Sequence, residues 1–189
     1  YGAESPFMEA FTHVDRLFPE SDIARIRDGR WSCSLLKGKP NCLYFQHGSF
    51  SMYMTIYSNL CDRRNFLADS LVATGHGYQM KAHAAGWYYL PFPEKPATSD
   101  WWQMDNASRP KKLGPDMDID VTVRDADDGI AVDIRTSGVQ GAPWRVELAF
   151  SGIDRLENDH LVMPVHGDEV LVLKDGYFTA ANADGAIQV

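Results

Sequence analysis

The chain has 189 residues, 44% of them hydrophobic and 12% aromatic, with a formal net charge of −8. That is one domain's length with enough apolar content for a packed core, and the aromatic share excludes long disorder. No apolar run approaches the roughly 18 residues of a membrane-spanning helix, and no cationic stripe is present for a nucleic-acid backbone, so neither membrane nor nucleic acid is expected as a partner.

In chain order, Ser5-Pro6 reads as a helix start, because serine caps and proline suits the first helical position. Phe7, Phe11, Val14 and Phe18 recur at spacings of three and four, which predicts a short amphipathic helix ended by Pro19. Residues 1–19 are therefore expected to be a helical segment linking to a missing upstream domain, since so short a helix must dock on something. The chain opens without Met and ends on Ile187-Gln188-Val189, which fits an excised C-terminal portion of a larger protein.

From Ile23 the polarity period becomes two. Asp28-Gly29 predicts a hairpin between Ile23–Arg27 and Arg30–Leu36, and Asn41–Gln46 is a further strand. Phe50, Met52, Met54 and Ile56 alternate with Ser51, Tyr53, Thr55 and Tyr57, giving one apolar and one tyrosine-bearing face. Asn59–Ala73 fits a loop or a short helix, and Tyr78–Ala84 a strand. Residues 86–115 hold five prolines with Trp87, Tyr88, Tyr89, Trp101 and Trp102, the pattern of a long aromatic loop. Asp116–Arg124 alternates strictly and turns at Asp127-Asp128-Gly129 into Ile130–Arg135. Strands are also expected at Trp144–Phe150, Glu169–Leu173, Tyr177–Ala180 and Ala186–Val189. With no crossover helices, the fold class is all-β: an antiparallel β-sandwich, supersandwich-like, over residues 20–189 with a short N-terminal helix.

Chemistry-bearing residues are sparse. Asp116, Asp118 and Asp120 share a strand face, but their spacing of about 6.6–7 Å is too wide for one ion, so they read as a solvated face. Asp125, Asp127 and Asp128 read as an ordinary turn. The six histidines include no helical metal pair, so no metal site and no cofactor is expected. His47 or His83 beside a tyrosine is the minimal set for a self-contained lyase. Cys33, Cys42 and Cys61 fit no zinc pattern; Cys33 and Cys42 either pair across a hairpin or stay as buried thiols. The sparse cysteines favour a reducing, cytoplasmic setting, with secretion or the periplasm open for the parent. The aromatics carry the clearest signal. Adjacent residues on an extended chain face opposite ways, so Trp101 and Trp102 are not both buried. Exposed indole and phenol faces suit a sugar ring, and Trp87, Tyr88, Trp101, Trp102 and Arg109 are the candidate ligand-binding residues, with Gln103 and Asn106 as further polar groups.

The run Phe18-Pro19-Glu20-Ser21-Asp22-Ile23-Ala24-Arg25-Ile26-Arg27, followed by Gly29-Arg30-Trp31-Ser32, resembles the C-terminal β-sandwich of heparinase II/III-like polysaccharide lyases. The resemblance implies a parent that pairs a helical toroid with this sandwich and performs β-elimination at uronic acids. The family's Gly-His-Ala-His-like segment has no counterpart beyond Gly75-His76-Gly77, so no catalytic residue carries over. The expected function is thus a module that supports or binds an acidic polysaccharide or oligosaccharide; a purely structural packing domain is the alternative.

Overall fold

The computed structural model describes residues 13–60, 63–127, 129–183 and 185–189. Its regular structure is mostly antiparallel β-sheet. The first sheet orders β1 (His13–Phe18), β2 (Ile23–Asp28), β3 (Trp31–Leu36), β4 (Asn41–His47) and β5 (Phe50–Leu60), then β13 (Trp144–Ser151); β6 (Arg63–Asn65) also pairs with β5. The second sheet runs β12 (Gly129–Gly138), β11 (Met117–Ala126), β8 (Gly77–Ala84), β7 (Ser70–Thr74). A two-stranded ribbon, β9 (Trp87–Tyr89) with β10 (Lys111–Leu113), projects from the β8–β11 connection. The remaining small sheet orders β15 (Val162–Pro164), β14 (Arg155–Glu157), β16 (Thr179–Asn182), β17 (Gly185–Gln188).

Two-residue alternation does the sorting. In β2, β3 and β5, Ala24, Ile26, Trp31, Cys33, Leu35, Met52, Met54 and Ile56 are buried. In β8 and β11, Tyr78, Met80, Ala82, Met117, Ile119, Val121 and Val123 are buried too. Both sets belong to one apolar cluster, so the inner faces of the two large sheets share a core. Tyr78 of β8 donates to Asp15 of β1 at 2.5 Å, tying the sheets together at their margin. Burial, and then that carboxylate, push the phenol's ionisation well up. An apolar cavity of about 360 Å³ remains between Phe45, Met52, Ile130, Leu148 and Ile187.

Three expectations are corrected. The helix proposed to end at Pro19 is not what residues 13–18 form: they are β1, paired with β2 along their whole length. Val14 and Phe18 lie four apart, a separation that shares a face under either period, so the spacing could not distinguish helix from strand there. Leu17 instead points inward to the core. The remainder of that helix, residues 1–12, lies outside the described residues. Glu169–Leu173 forms no strand. Val170 and Val172 are 88% and 91% exposed while Leu171 and Leu173 are half as exposed, an alternation that joins no ladder. Asn59–Ala73, read as loop or helix, contains β6 and β7.

Cys33 and Cys42 are free buried thiols, not a disulfide, and burial raises each to about 12. Cys61 lies outside the described residues. No described helix is long and apolar enough to cross a membrane.

Candidate functional site: an aromatic loop pinned by two cations

The 86–115 connection leaves the second sheet through a narrow neck. Gly114 N–H donates to the Gly86 carbonyl at 2.6 Å, and Gly86 N–H donates to Asp116 at 3.1 Å. A Cβ on Gly86 would stand 1.9 Å from the Pro115 carbonyl oxygen, so the neck closes only around glycine. Beyond it the β9–β10 ribbon pairs Trp87 with Leu113, Tyr88 with Lys112 and Tyr89 with Lys111.

Strand alternation puts Trp87 and Tyr89 on one ribbon face and Tyr88 on the other. The two rings meet edge-on, centroids 5.1 Å apart, and Tyr89 meets Trp101 edge-on at 6.4 Å. Lys111 Nζ lies 4.0 Å from the centre of the Trp87 ring. The Arg109 guanidinium sits among three rings, 4.9 Å from Phe92, 5.0 Å from Tyr89 and 5.5 Å from Trp101. Cations over ring faces at such distances each contribute about 0.5–1 kcal/mol where exposed, more where desolvated. Arg109 Nε and Nη2 both donate to the Leu90 carbonyl, at 3.0 and 2.8 Å, which fixes the guanidinium's plane.

The second half of the loop is held by side-chain caps. Asp100 accepts from Trp102 N–H at 3.0 Å and from the Gln103 amide at 2.9 Å, starting the short 3-10 turn Trp101–Gln103. The Asn106 amide donates to the Trp101 carbonyl at 2.8 Å, while its Oδ1 is buried without a hydrogen-bond partner in the protein. Held this way, Trp101 is 47% exposed and Trp102 89% exposed. One indole thus packs in the cluster and its neighbour stands in solvent.

Of the sequence candidates, Trp87, Trp101 and Arg109 come together, Trp102 projects beside them, and Tyr88 faces away across the ribbon. Gln103 is occupied by Asp100. Lys111 and Phe92 are the cluster members that sequence reasoning did not select. Tyr89 was recognised as an aromatic of the loop, and its two-residue spacing from Trp87 was the signal that pairs them.

The histidines and acids are arranged otherwise. On the outer face of the second sheet, His83 Nδ1 lies 2.7 Å from Asp118 and Nε2 lies 3.7 Å from Asp116. The Asp118 hydrogen bond, above all, raises the imidazole's pKa. Asp120 accepts twice from the Gln79 amide and lies 3.6 Å from Lys81 Nζ. The acidic ladder is therefore answered by β8 rung by rung, as cross-strand pairs are. Among the described residues no group of three or more His, Cys, Asp or Glu is placed to hold a metal ion. His47 tilts against Phe50, ring centres 5.5 Å apart.

Comparison of the chain with protein-family models, with curated proteins and with solved structures finds no match.

Proposed function

We propose that the chain is an antiparallel β-sandwich module that binds acidic carbohydrate at its 86–115 loop. The observation that carries this reading is Trp102: a flat indole 89% in solvent, on a turn capped by Asp100, next to a cluster that holds two cations. A protein that exposes so much aromatic surface forgoes the free energy of burying it, which a stacked sugar ring recovers. Arg109 and Lys111 place two cations at the aromatic cluster within a chain of net −8, suiting a carboxylate-bearing sugar. Kinship with heparinase II/III-like lyases belongs to this proposal as the source of the substrate class, uronate-containing glycans. The role proposed is binding; His83 pairs with Asp118 and Asp116 on the outer face of the second sheet.

The test is tryptophan fluorescence during titration with uronate-containing oligosaccharides. Quenching is expected, and the Trp101→Ala, Trp102→Ala double variant should abolish it. Silence across glycan classes rejects the reading. Growth of unsaturated-uronate absorbance would instead make the chain an enzyme.

One observation favours a second reading, a packing domain for a neighbouring unit. Val170-Leu171-Val172-Leu173 is an exposed apolar run left outside every sheet. Association with a separately expressed upstream domain, with no glycan response, would select it.

A further inference from the structure

The outer face of the first sheet carries a second arrangement, sharing no residue with the loop. Register places Arg16, Arg25, Ser34, Tyr44, Tyr53 and Ala149 directly opposite one another on successive strands β1 to β5 and β13. Adjacent strands lie about 4.8 Å apart, so this row crosses some 20 Å of sheet from two arginines to two tyrosines. Like charges directly opposite on neighbouring strands destabilise a sheet. Arg16 stacks on Phe18 and Arg25 donates to the buried Ser34 hydroxyl at 2.8 Å; neither forms an ion pair with an acid among the described residues. Arg27 lies on the same face of β2. Among the described side chains, the outward strand positions of this sheet hold Arg16, Arg25, Arg27 and Arg145 against one acid, Glu147, which pairs with Arg145. A chain of net −8 thus sets Arg16, Arg25 and Arg27, none of them ion-paired among the described residues, on one sheet face.

The same row has a stacking end. Tyr44 and Tyr53 are 38% and 42% exposed, and Ala149 beyond them leaves room over the second ring. Between the two ends an open recess of about 470 Å³ is lined by Phe18, Ile23, Arg25, Ser34, Leu36 and Tyr44. Charge at one end and flat, amphipathic rings at the other suit a ligand with an anionic group and an uncharged ring beyond it.

We propose that this face is a second binding site, for an acidic oligosaccharide lying across the strands. Its carboxylate meets Arg16 and Arg25, and the following ring lies on Tyr44 and Tyr53. A single-stranded nucleic acid would use the same residue types, but its many phosphates need a longer cationic track than these arginines make.

The full chain carrying Trp101→Ala and Trp102→Ala isolates this site, and the anisotropy of a fluorescently labelled trigalacturonate reads it. Binding is expected to persist in that background and to weaken as salt rises. Adding Arg16→Gln and Arg25→Gln should reduce affinity at least tenfold, and a neutral trisaccharide should not compete. Thermal unfolding controls for the fold: Arg16→Gln should leave Tm unchanged or raised, because it removes a like-charge pair. Affinity indifferent to both arginine changes overturns the proposal. So does an oligodeoxynucleotide that competes better than the sugar acid, or binding that requires removal of residues 1–12. Tryptophan quenching tests the loop and this residual binding tests the sheet, so each can fail alone.

Discussion

Substituting Gly86 by alanine should unfasten the aromatic loop. The added Cβ would lie 1.9 Å from the Pro115 oxygen, 2.9 Å from the Pro115 carbonyl carbon and 3.1 Å from the Gly114 carbonyl carbon. All three are backbone atoms, so no rotamer relieves the clash, and the two segments must part by about 1.5 Å to reach ordinary contact. Two hydrogen bonds hang on that approach: Gly114 N–H to the Gly86 carbonyl, and Gly86 N–H to the Asp116 carboxylate. A neutral bond contributes about 0.5–1.5 kcal/mol and one to a charged group about 1.5–3, so their joint loss is about 2–4.5 kcal/mol. Gly75 is the control, for a Cβ there meets nothing within 4 Å. Gly75→Ala should be neutral or stabilise by up to about 1 kcal/mol, through the entropy of the unfolded chain. Urea unfolding measures both, and near-ultraviolet circular dichroism reports the tryptophans around the ribbon. A Gly86→Ala protein within about 0.5 kcal/mol of wild type, with its aromatic spectrum intact, would refute the closed neck.

Other consequences are open to direct measurement. His83 should titrate above the ordinary histidine value of about 6.5 in an NMR pH series, and Asp118→Asn should bring it back towards that value. Because the folded pKa is the raised one, the stability this contact supplies is fully present below the unfolded value and fades as pH climbs through the folded one. The wild-type advantage over Asp118→Asn should therefore be largest in mild acid and shrink in mild alkali. Leu35→Ala removes a fully buried side chain and should cost about 2–5 kcal/mol in urea unfolding, whereas Val172→Asp, on the unladdered run, should change stability by less than about 0.5 kcal/mol. With thiols raised to about 12, Cys33 and Cys42 should resist an aromatic disulfide reagent at pH 8 and react once urea unfolds the chain.

The parts of the fold readable from sequence were those where polarity alternates over many residues. Met117–Ala126 and Phe50–Leu60 each bury one row of a pleated strand, and that row is written directly in the chain. Failure came where local pattern is degenerate. Val14 and Phe18 satisfy helix and strand alike, and Val170–Leu173 has a strand's character without the partner that makes a ladder. The loop's composition announced a surface feature, but its assembly depends on distant pairs. Arg109 reaches back to the Leu90 carbonyl nineteen positions earlier, and Lys111 finds Trp87 only because the ribbon registers Lys111 with Tyr89. Local rhythm carries no information about such meetings. The opposed arginines of the first sheet were hidden for the same reason: Arg16 and Arg25 become neighbours only once β1 is a strand.

The proposed uptake of carbohydrate by the Trp101–Trp102 turn can be read at the indoles themselves. The five tryptophans each give an indole N–H signal in a proton–nitrogen correlation spectrum. Added trigalacturonate should move the Trp101 and Trp102 signals, with saturable dependence on sugar concentration, while buried Trp31 stays in place. Indole signals unmoved at saturating sugar would contradict the claim.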